Sequence, residues 1–181
     1  MVSNFYILTG GPGSGKSTVI DALAKKGFVC VPEVARQIIK EQNLINGDAT
    51  HWKNKKKFMN LMLEHSIDAY RGVMKITREV VFFDRGIPEL IGYCEATGIE
   101  IPQSLINAVQ EYSYNPKVFI MPPWREIYKN DSERKQDFQE AIKTFNSISK
   151  SYEQCGYCLI EVPKLAVEQR AEFILQNILG V

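Results

Sequence analysis

The chain has little of what marks a secreted, membrane-spanning or nucleic-acid-binding protein. Four cysteines in 181 residues do not make a disulfide framework, so a reducing, cytoplasmic setting is the expectation. Cys155 and Cys158 do form C-x-x-C, yet they follow a helical pattern and lead into a strand. Redox pairs instead open a helix, whose dipole acidifies the thiol. With no second pair and no nearby histidine, they also make a poor zinc site. No stretch approaches the ~18 consecutive apolar residues of a membrane span. The first apolar run ends after a few residues in a glycine loop, which is not the pattern of a signal peptide. Neither sign of charge dominates: 22 Lys and Arg stand against 21 Asp and Glu, a formal net charge of +1. That balance gives no global pull toward nucleic acid or an anionic membrane. Histidine is scarce, and His51 and His65 are too isolated to propose as catalysts. Repeats, linkers and low-complexity tracts are missing, and 45% hydrophobic with 24% charged residues are globular values. The expectation is one domain over residues 1–181.

What is present is concentrated near the N-terminus. Gly10-Gly11-Pro12-Gly13-Ser14-Gly15-Lys16-Ser17-Thr18 fits G-x-x-x-x-G-K-[ST] from Gly10 to Ser17. Upstream, Phe5-Tyr6-Ile7-Leu8 reads as a buried strand; downstream, Val19, Ile20, Leu23 and Ala24 share one side of a helix. Glycines let successive backbone N–H groups turn inward, and the helix dipole adds positive potential at the same point. Lys16 is expected to reach the β- and γ-phosphates of a nucleoside triphosphate, with the Ser17 hydroxyl on Mg²⁺.

Four more strands are expected, at Phe28–Val31, Val80–Asp84, Lys117–Met121 and Tyr157–Val162, each alternating with helices. The helices are expected over about 53–77, 87–96, 103–112, 135–155 and 167–179, besides those after the glycine loop and after Glu33. In the longest, Phe58, Leu61, Met62, His65, Ala69 and Val73 mark one apolar face. This alternation predicts an α/β fold, a parallel sheet covered on both faces. The strand C-termini would then share one edge, where Thr9, Glu33, Asp84 and Met121 converge above the phosphate loop. An apolar strand ending in Asp84 suits a P-loop enzyme that holds Mg²⁺, and Arg85 beside it could pin a substrate or phosphate. Glu33 and Arg36, one turn apart, stand where ligands bind in such sheets. Lys53, Lys55, Lys56 and Lys57 form a basic run, read as a solvated face or as a contact for an acidic partner.

Leu8 to Thr18, Pro32-Glu33-Val34-Ala35-Arg36, Phe82-Phe83-Asp84-Arg85-Gly86, and Pro123-Trp124 with Asp131 and Arg134 together resemble one group. It is the AAA-type ATPase-like P-loop family that includes the nicotinamide-riboside kinase domain of NadR and the TRP-channel translocation-defect protein of animals. The resemblance runs from about Phe5 to Ile178 and lies in the nucleoside and nucleotide kinase branch of P-loop NTPases. It implies a three-layer fold with strand order 2-3-1-4-5 and a lid at roughly residues 122–135. It also implies lid arginines at Arg125 and Arg134, and a nucleobase held near Pro163 after the fifth strand. Glu33 occupies the place of the deoxynucleoside kinase base, but Asp84-Arg85-Gly86 replaces the Glu-Arg-Ser of those kinases, so the base is Glu33 or Asp84.

Two functions follow. One is an ATP-dependent small-molecule kinase: Lys16, Glu33, Asp84, Arg125 and Arg134 catalyse, Gly11 to Thr18 and Pro163 hold nucleotide, and Ser17 and Asp84 hold Mg²⁺. Its acceptor, a nucleoside-like or other hydroxyl compound, would meet Glu33, Arg36, Arg85 and a cap at roughly residues 41–60. The other is an ATP- or GTP-dependent switch that binds a partner or acidic lipid. No N-K-x-D guanine motif is present, which leans toward ATP, and Arg85 stands where motor ATPases carry a second acidic residue.

Overall fold

The computed structural model describes residues 3–128 and 138–179. Five strands run β1 (Phe5–Gly10), β2 (Val29–Val31), β3 (Val81–Asp84), β4 (Lys117–Met121) and β5 (Cys158–Glu161). All pair in parallel, in the order β2-β3-β1-β4-β5. The helices are α1 (Lys16–Lys25), α2 (Val34–Leu44), α3 (Lys55–Ile76), α4 (Glu89–Thr97), α5 (Gln103–Glu111), α6 (Phe138–Gln154) and α7 (Val167–Leu179).

Alternation along the strands builds two cores. Phe5, Ile7, Val81, Phe83, Val118 and Ile120 point to one face, beneath apolar residues of α3, α4, α5 and α6. Tyr6, Leu8, Phe82, Phe119 and Met121 point to the other, beneath α1 and α7. The central strand β1 is buried along its whole length, as a sheet covered on both faces requires. Truncating a buried side chain such as Ile7 to alanine costs about 2–5 kcal/mol in such a setting. Among the described residues no helix is long and apolar enough to cross a membrane.

The edges depart from the sequence expectation. β2 is three residues long and Val29 is exposed, because it is an outer strand with one neighbour, so a fully buried strand is corrected here to an edge strand. β5 is the opposite edge and is shorter than the apolar run Tyr157–Val162. Along α3 the buried face is Phe58, Met59, Met62, Leu63, Tyr70 and Val73, whereas Leu61, His65 and Ala69 are half-buried. That stripe is rotated because α3 packs on α2 as well as α4. α2 continues to Leu44, past the expected break at Glu41, and α4 begins at Glu89 instead of Ile87. Cys155 closes α6 and Cys158 opens β5, and both are free thiols.

The parallel register matters for function. Leu8 lies level with Asp84, Gly10 with Met121, and Val31 with Phe83. The chain therefore leaves β1, β2 and β3 at one edge, into the glycine loop, into Glu33 and into Arg85.

Candidate functional site

The glycine loop joins β1 to the first turn of α1, so its N–H groups and the helix dipole point the same way. Gly13 and Gly15 have φ of 74° and 78°, a left-handed conformation that a side chain would resist. Space forbids one as well: a Cβ on Gly13 would stand 2.5 Å from the Tyr128 ring. At Gly15 it would stand 2.8 Å from the Arg170 guanidinium. Gly11 and Ser14 are buried, and Pro12 is half-buried. Ser17 and Thr18 are exposed in the first turn of α1, where Thr18 Oγ1 donates to the Gly15 carbonyl at 2.7 Å. The Ser14 hydroxyl is buried without a partner among the described residues.

Lys16 is buried, and its ammonium is paired directly with the Asp84 carboxylate at the end of β3. Burial pushes the lysine pKa down and Arg85 adds to that, while Asp84 and Glu33 pull it back. A polyphosphate in the loop would offer Lys16 a stronger anion, releasing Asp84. The donors suit Mg²⁺, which takes one or two carboxylates and completes its octahedron with water and phosphate oxygens. The described residues contain no cluster of three His, Cys, Asp or Glu, and so no all-protein metal cage.

Beside this pair lies a second network. Arg85 follows Asp84 with φ 74°, a costly conformation for a large side chain, anchored by its N–H bond to the Leu8 carbonyl at 3.0 Å. The turn directs its guanidinium onto two carboxylates: Glu33 at 2.8 Å, and Glu89 in the first turn of α4. Glu33 also accepts from Arg36 Nε at 3.1 Å. Glu89 in turn accepts from Thr9 Oγ1 at 2.6 Å and from the Tyr152 hydroxyl at 3.1 Å. Tyr152 itself accepts the Gly86 N–H at 3.0 Å. Burial alone would raise the Glu33 carboxyl, yet Arg85, Lys16 and Arg36 outweigh it and hold the group at about 2. The Arg85 guanidinium, which burial would weaken, is held well above the ordinary arginine value by Glu89, Glu33 and Asp84.

Further along α4, one turn past Glu89, Tyr93 begins an aromatic cluster that runs out from the core. Its ring lies 6.0 Å from Phe58, which lies 6.2 Å from His51, itself 4.5 Å edge-on to Trp52. The hydroxyls of Thr50 and Tyr93 are buried without partners among the described residues, and burial raises the Tyr93 phenol to about 12.

The residues singled out in the sequence are therefore unequally placed. Lys16, Asp84, Glu33, Arg36 and Arg85 meet at the shared strand edge. Asp84 does not cap α4, which starts five residues later. Arg125 is exposed, with its guanidinium carbon 5.4 Å over the Phe138 ring, and forms none of the ion pairs of this cluster. Pro163 is half-buried in the turn after β5, where its carbonyl accepts the Leu165 N–H at 2.9 Å. Arg134 and Asp131 lie outside the described residues. Sequence reasoning missed Glu89, Tyr152 and Arg170. Glu89 alone left a signal, four residues after Arg85 at the start of a helix.

With this geometry in view, comparison with known proteins decides the family. The AAA domain family matches residues 5–170. The chain belongs to that AAA domain family. No functionally curated protein matches the sequence. Among solved structures, NadR in complex with NR superposes with a TM-score of 0.74 at 16% identity. That match covers 99% of this chain and 52% of the NadR chain, so the present chain spans about half of it. Deoxyadenosine kinase from M. mycoides with bound dATP gives 0.56 at 18% identity, covering 98% of this chain and 99% of that one. Shikimate kinase from Acinetobacter baumannii in complex with shikimate gives 0.54 at 15%, covering 97% and 93%. These likenesses establish a P-loop nucleoside- and nucleotide-kinase-like fold within the AAA domain family, matching the branch that the sequence motifs resemble.

Proposed function

We propose that this AAA domain protein is an ATP-dependent kinase that phosphorylates a hydroxyl of an uncharged, ring-bearing acceptor such as a nucleoside. The observation that carries the reading is the adjacency of two networks at one sheet edge. Lys16 with Asp84 forms the phosphate-donor side. Glu33, Arg36, Arg85 and Glu89 form the acceptor side. Phosphoryl transfer requires mainly alignment and charge neutralisation, and such a pair of walls supplies both. In this reading Gly11 to Thr18 cradle the polyphosphate, Lys16 reaches its terminal phosphates, and the nucleobase lies near Pro163. Mg²⁺, held by Ser17 and Asp84, neutralises charge on the phosphate oxygens when bound. Arg125 and Arg134, from a lid at roughly residues 122–135 of the single domain, add positive charge.

Glu33 is the group we assign to the acceptor hydroxyl. A carboxylate held at about 2 is a weak base. A loose phosphoryl-transfer transition state leaves the hydroxyl proton in place until late, so orientation matters more than basicity. Charge accounting supports an uncharged acceptor. Arg85 is spent on Glu33 and Glu89, and Arg36 already gives its Nε to Glu33, so the cluster offers no unpaired buried guanidinium to an anionic acceptor. The exposed rings of Trp52 and His51, backed by Phe58 in the core, would offer a face to a planar ring.

Incubation with Mg-ATP and a panel of nucleosides, nucleoside monophosphates and hydroxy acids tests this. The expected result is ADP together with a phosphorylated nucleoside. Formation of no phosphorylated product from any member refutes the kinase reading. The alternative, an ATP- or GTP-dependent switch that docks an acidic partner through Lys53 to Lys57, has less support. Lys57 is paired with Asp48 at 2.8 Å and Lys53 donates to the Gly47 carbonyl at 3.1 Å, so half of that run is engaged internally. Tight GTP binding with slow acceptor-free hydrolysis would favour it.

A further inference from the structure

Arg170 has no part in the reading so far, yet it is among the most deeply buried charges of the molecule. It stands in α7, its N–H bonded to the Ala166 carbonyl at 3.0 Å, and the residue is 4% exposed. Its Nη1 donates to the Ser14 carbonyl of the phosphate loop at 3.3 Å, and its guanidinium carbon lies 5.6 Å over the Trp124 ring. The two Nη atoms stand 2.8 and 3.1 Å from where a Cβ on Gly15 would be, so the fork lies against the loop's last glycine. Nε is buried without a partner, and no carboxylate among the described residues pairs with this arginine.

A guanidinium stays charged when buried, so an unpaired one is retained only where something offsets its lost hydration. One neutral carbonyl and one ring face are partial compensation. The loop it leans on is itself built to receive anions. We infer that Arg170 is a positioning cation for the polyphosphate of the bound nucleotide. Its Ser14 bond holds that carbonyl away from the cradle, leaving the loop's N–H groups to the phosphates, and its charge attracts the same anion from the α7 side of the loop. Trp124 holds the fork flat against Gly15. The inference rests on the loop taking a nucleoside triphosphate, and is independent of whether the phosphate is then transferred.

The test titrates the protein with inorganic pyrophosphate, Mg-ATP and adenosine by calorimetry, in the parent, Arg170→Gln and Arg170→Lys. Arg170→Gln keeps a donor for Ser14 and removes the charge; it should weaken pyrophosphate and ATP roughly tenfold or more while leaving adenosine binding unmoved. Arg170→Lys should recover most of the loss, and raised salt should narrow the difference. A folded Arg170→Gln variant that binds pyrophosphate like the parent overturns the inference. So does an Arg170→Lys variant no better than Arg170→Gln, since the planar shape alone would then matter. Should Arg170→Gln fail to fold, Trp124 emission in a Trp52→Phe background decides. A saturable shift with pyrophosphate supports the inference, and an unchanged emission during saturating binding overturns it. A parent that binds ATP yet phosphorylates nothing retires only the kinase reading; one that binds neither ATP nor pyrophosphate retires the nucleotide assignment and this inference together.

Discussion

Glu33 couples the site to the stability of the fold, and its charge makes the coupling measurable. Its carboxyl lies at about 2 against the ordinary glutamate value of 4.5. Buried groups convert such a difference into stability at 1.36 kcal/mol per pH unit, or about 3 kcal/mol in all. The sign is fixed by the direction of the change. The folded state holds the ionised form more tightly than the unfolded chain does, so the contribution is fully present above pH 4.5 and is lost as pH falls toward 2. Glu33→Gln removes the charge at every pH. It should therefore unfold about 3 kcal/mol more easily than the parent at pH 7, with the gap closing progressively below pH 4.5. Urea titrations of both proteins from pH 7 to pH 3, followed by circular dichroism, measure this. A gap that keeps its full size down to pH 3 would refute the ion-pair account, because a packing or hydrogen-bond loss does not titrate. The functional half uses the same variant at pH 7 and low urea, where it remains folded. ATP affinity should be spared and phosphoryl transfer stopped, and equal loss of both would remove Glu33 from the acceptor side.

Other perturbations bear on the two networks separately. Lys16→Ala should abolish ADP formation at any ATP concentration, read by coupled assay, and residual turnover within tenfold of the parent would contradict its role. Gly15→Ala should eliminate ATP binding by calorimetry, since the residue sits at φ 78° and its Cβ would meet the Arg170 guanidinium. Tyr152→Phe leaves the Gly86 N–H without its acceptor and Glu89 with one donor fewer, so the fold should lose about 1–3 kcal/mol in urea titration. It should lower kcat more than it changes the KM for ATP if, as proposed, the Arg85 that Glu89 pairs with belongs to the acceptor side.

What could be read from the chain beforehand was what depends on neighbours in sequence. The phosphate loop, its flanking strand and helix, and the strand ending in Asp84 are local patterns, and alternation with helices leads to a parallel sheet whose C-terminal ends share an edge. The second strand reads as buried because Val29 looks as apolar as any core residue, and the fifth reads as longer than it is because Tyr157 and Val162 continue its apolar run. Burial at an edge is decided by which strand has a second neighbour, which no single strand encodes. Roles that depend on distant partners were invisible for the same reason. Glu89 reads as a favourable anion in a first helical turn until β1 brings Thr9, and α6 brings Tyr152, to its second oxygen. Arg170 reads as a surface charge on an amphipathic helix until α7 lays it against Ser14.

These hidden residues change how the legible ones can work. Lys16 and Asp84 are each other's partners, so a phosphate drawn to Lys16 would compete with a buried carboxylate. In the proposed reading Asp84 would help to hold Mg²⁺, whose charge would offset the carboxylate beside the phosphates. Arg85 cannot take that role, since its guanidinium is already held by Glu33 and Glu89 and aimed by a left-handed turn. In the proposed reading the donor wall (Lys16, Asp84) and the acceptor wall (Glu33, Glu89, Arg36, Arg85) each balance their own charges, and only the through-space coupling of Lys16 with Glu33 and Arg85 links them. Order of addition then has a physical expectation. ATP affinity should be unchanged by a saturating nucleoside, and Glu89→Gln, which unbalances only the acceptor wall, should raise the KM for the nucleoside while leaving ATP affinity within twofold. Initial-rate studies across both substrates read this directly, and a Glu89→Gln variant that loses ATP and nucleoside binding alike would show that the two walls share one charge balance.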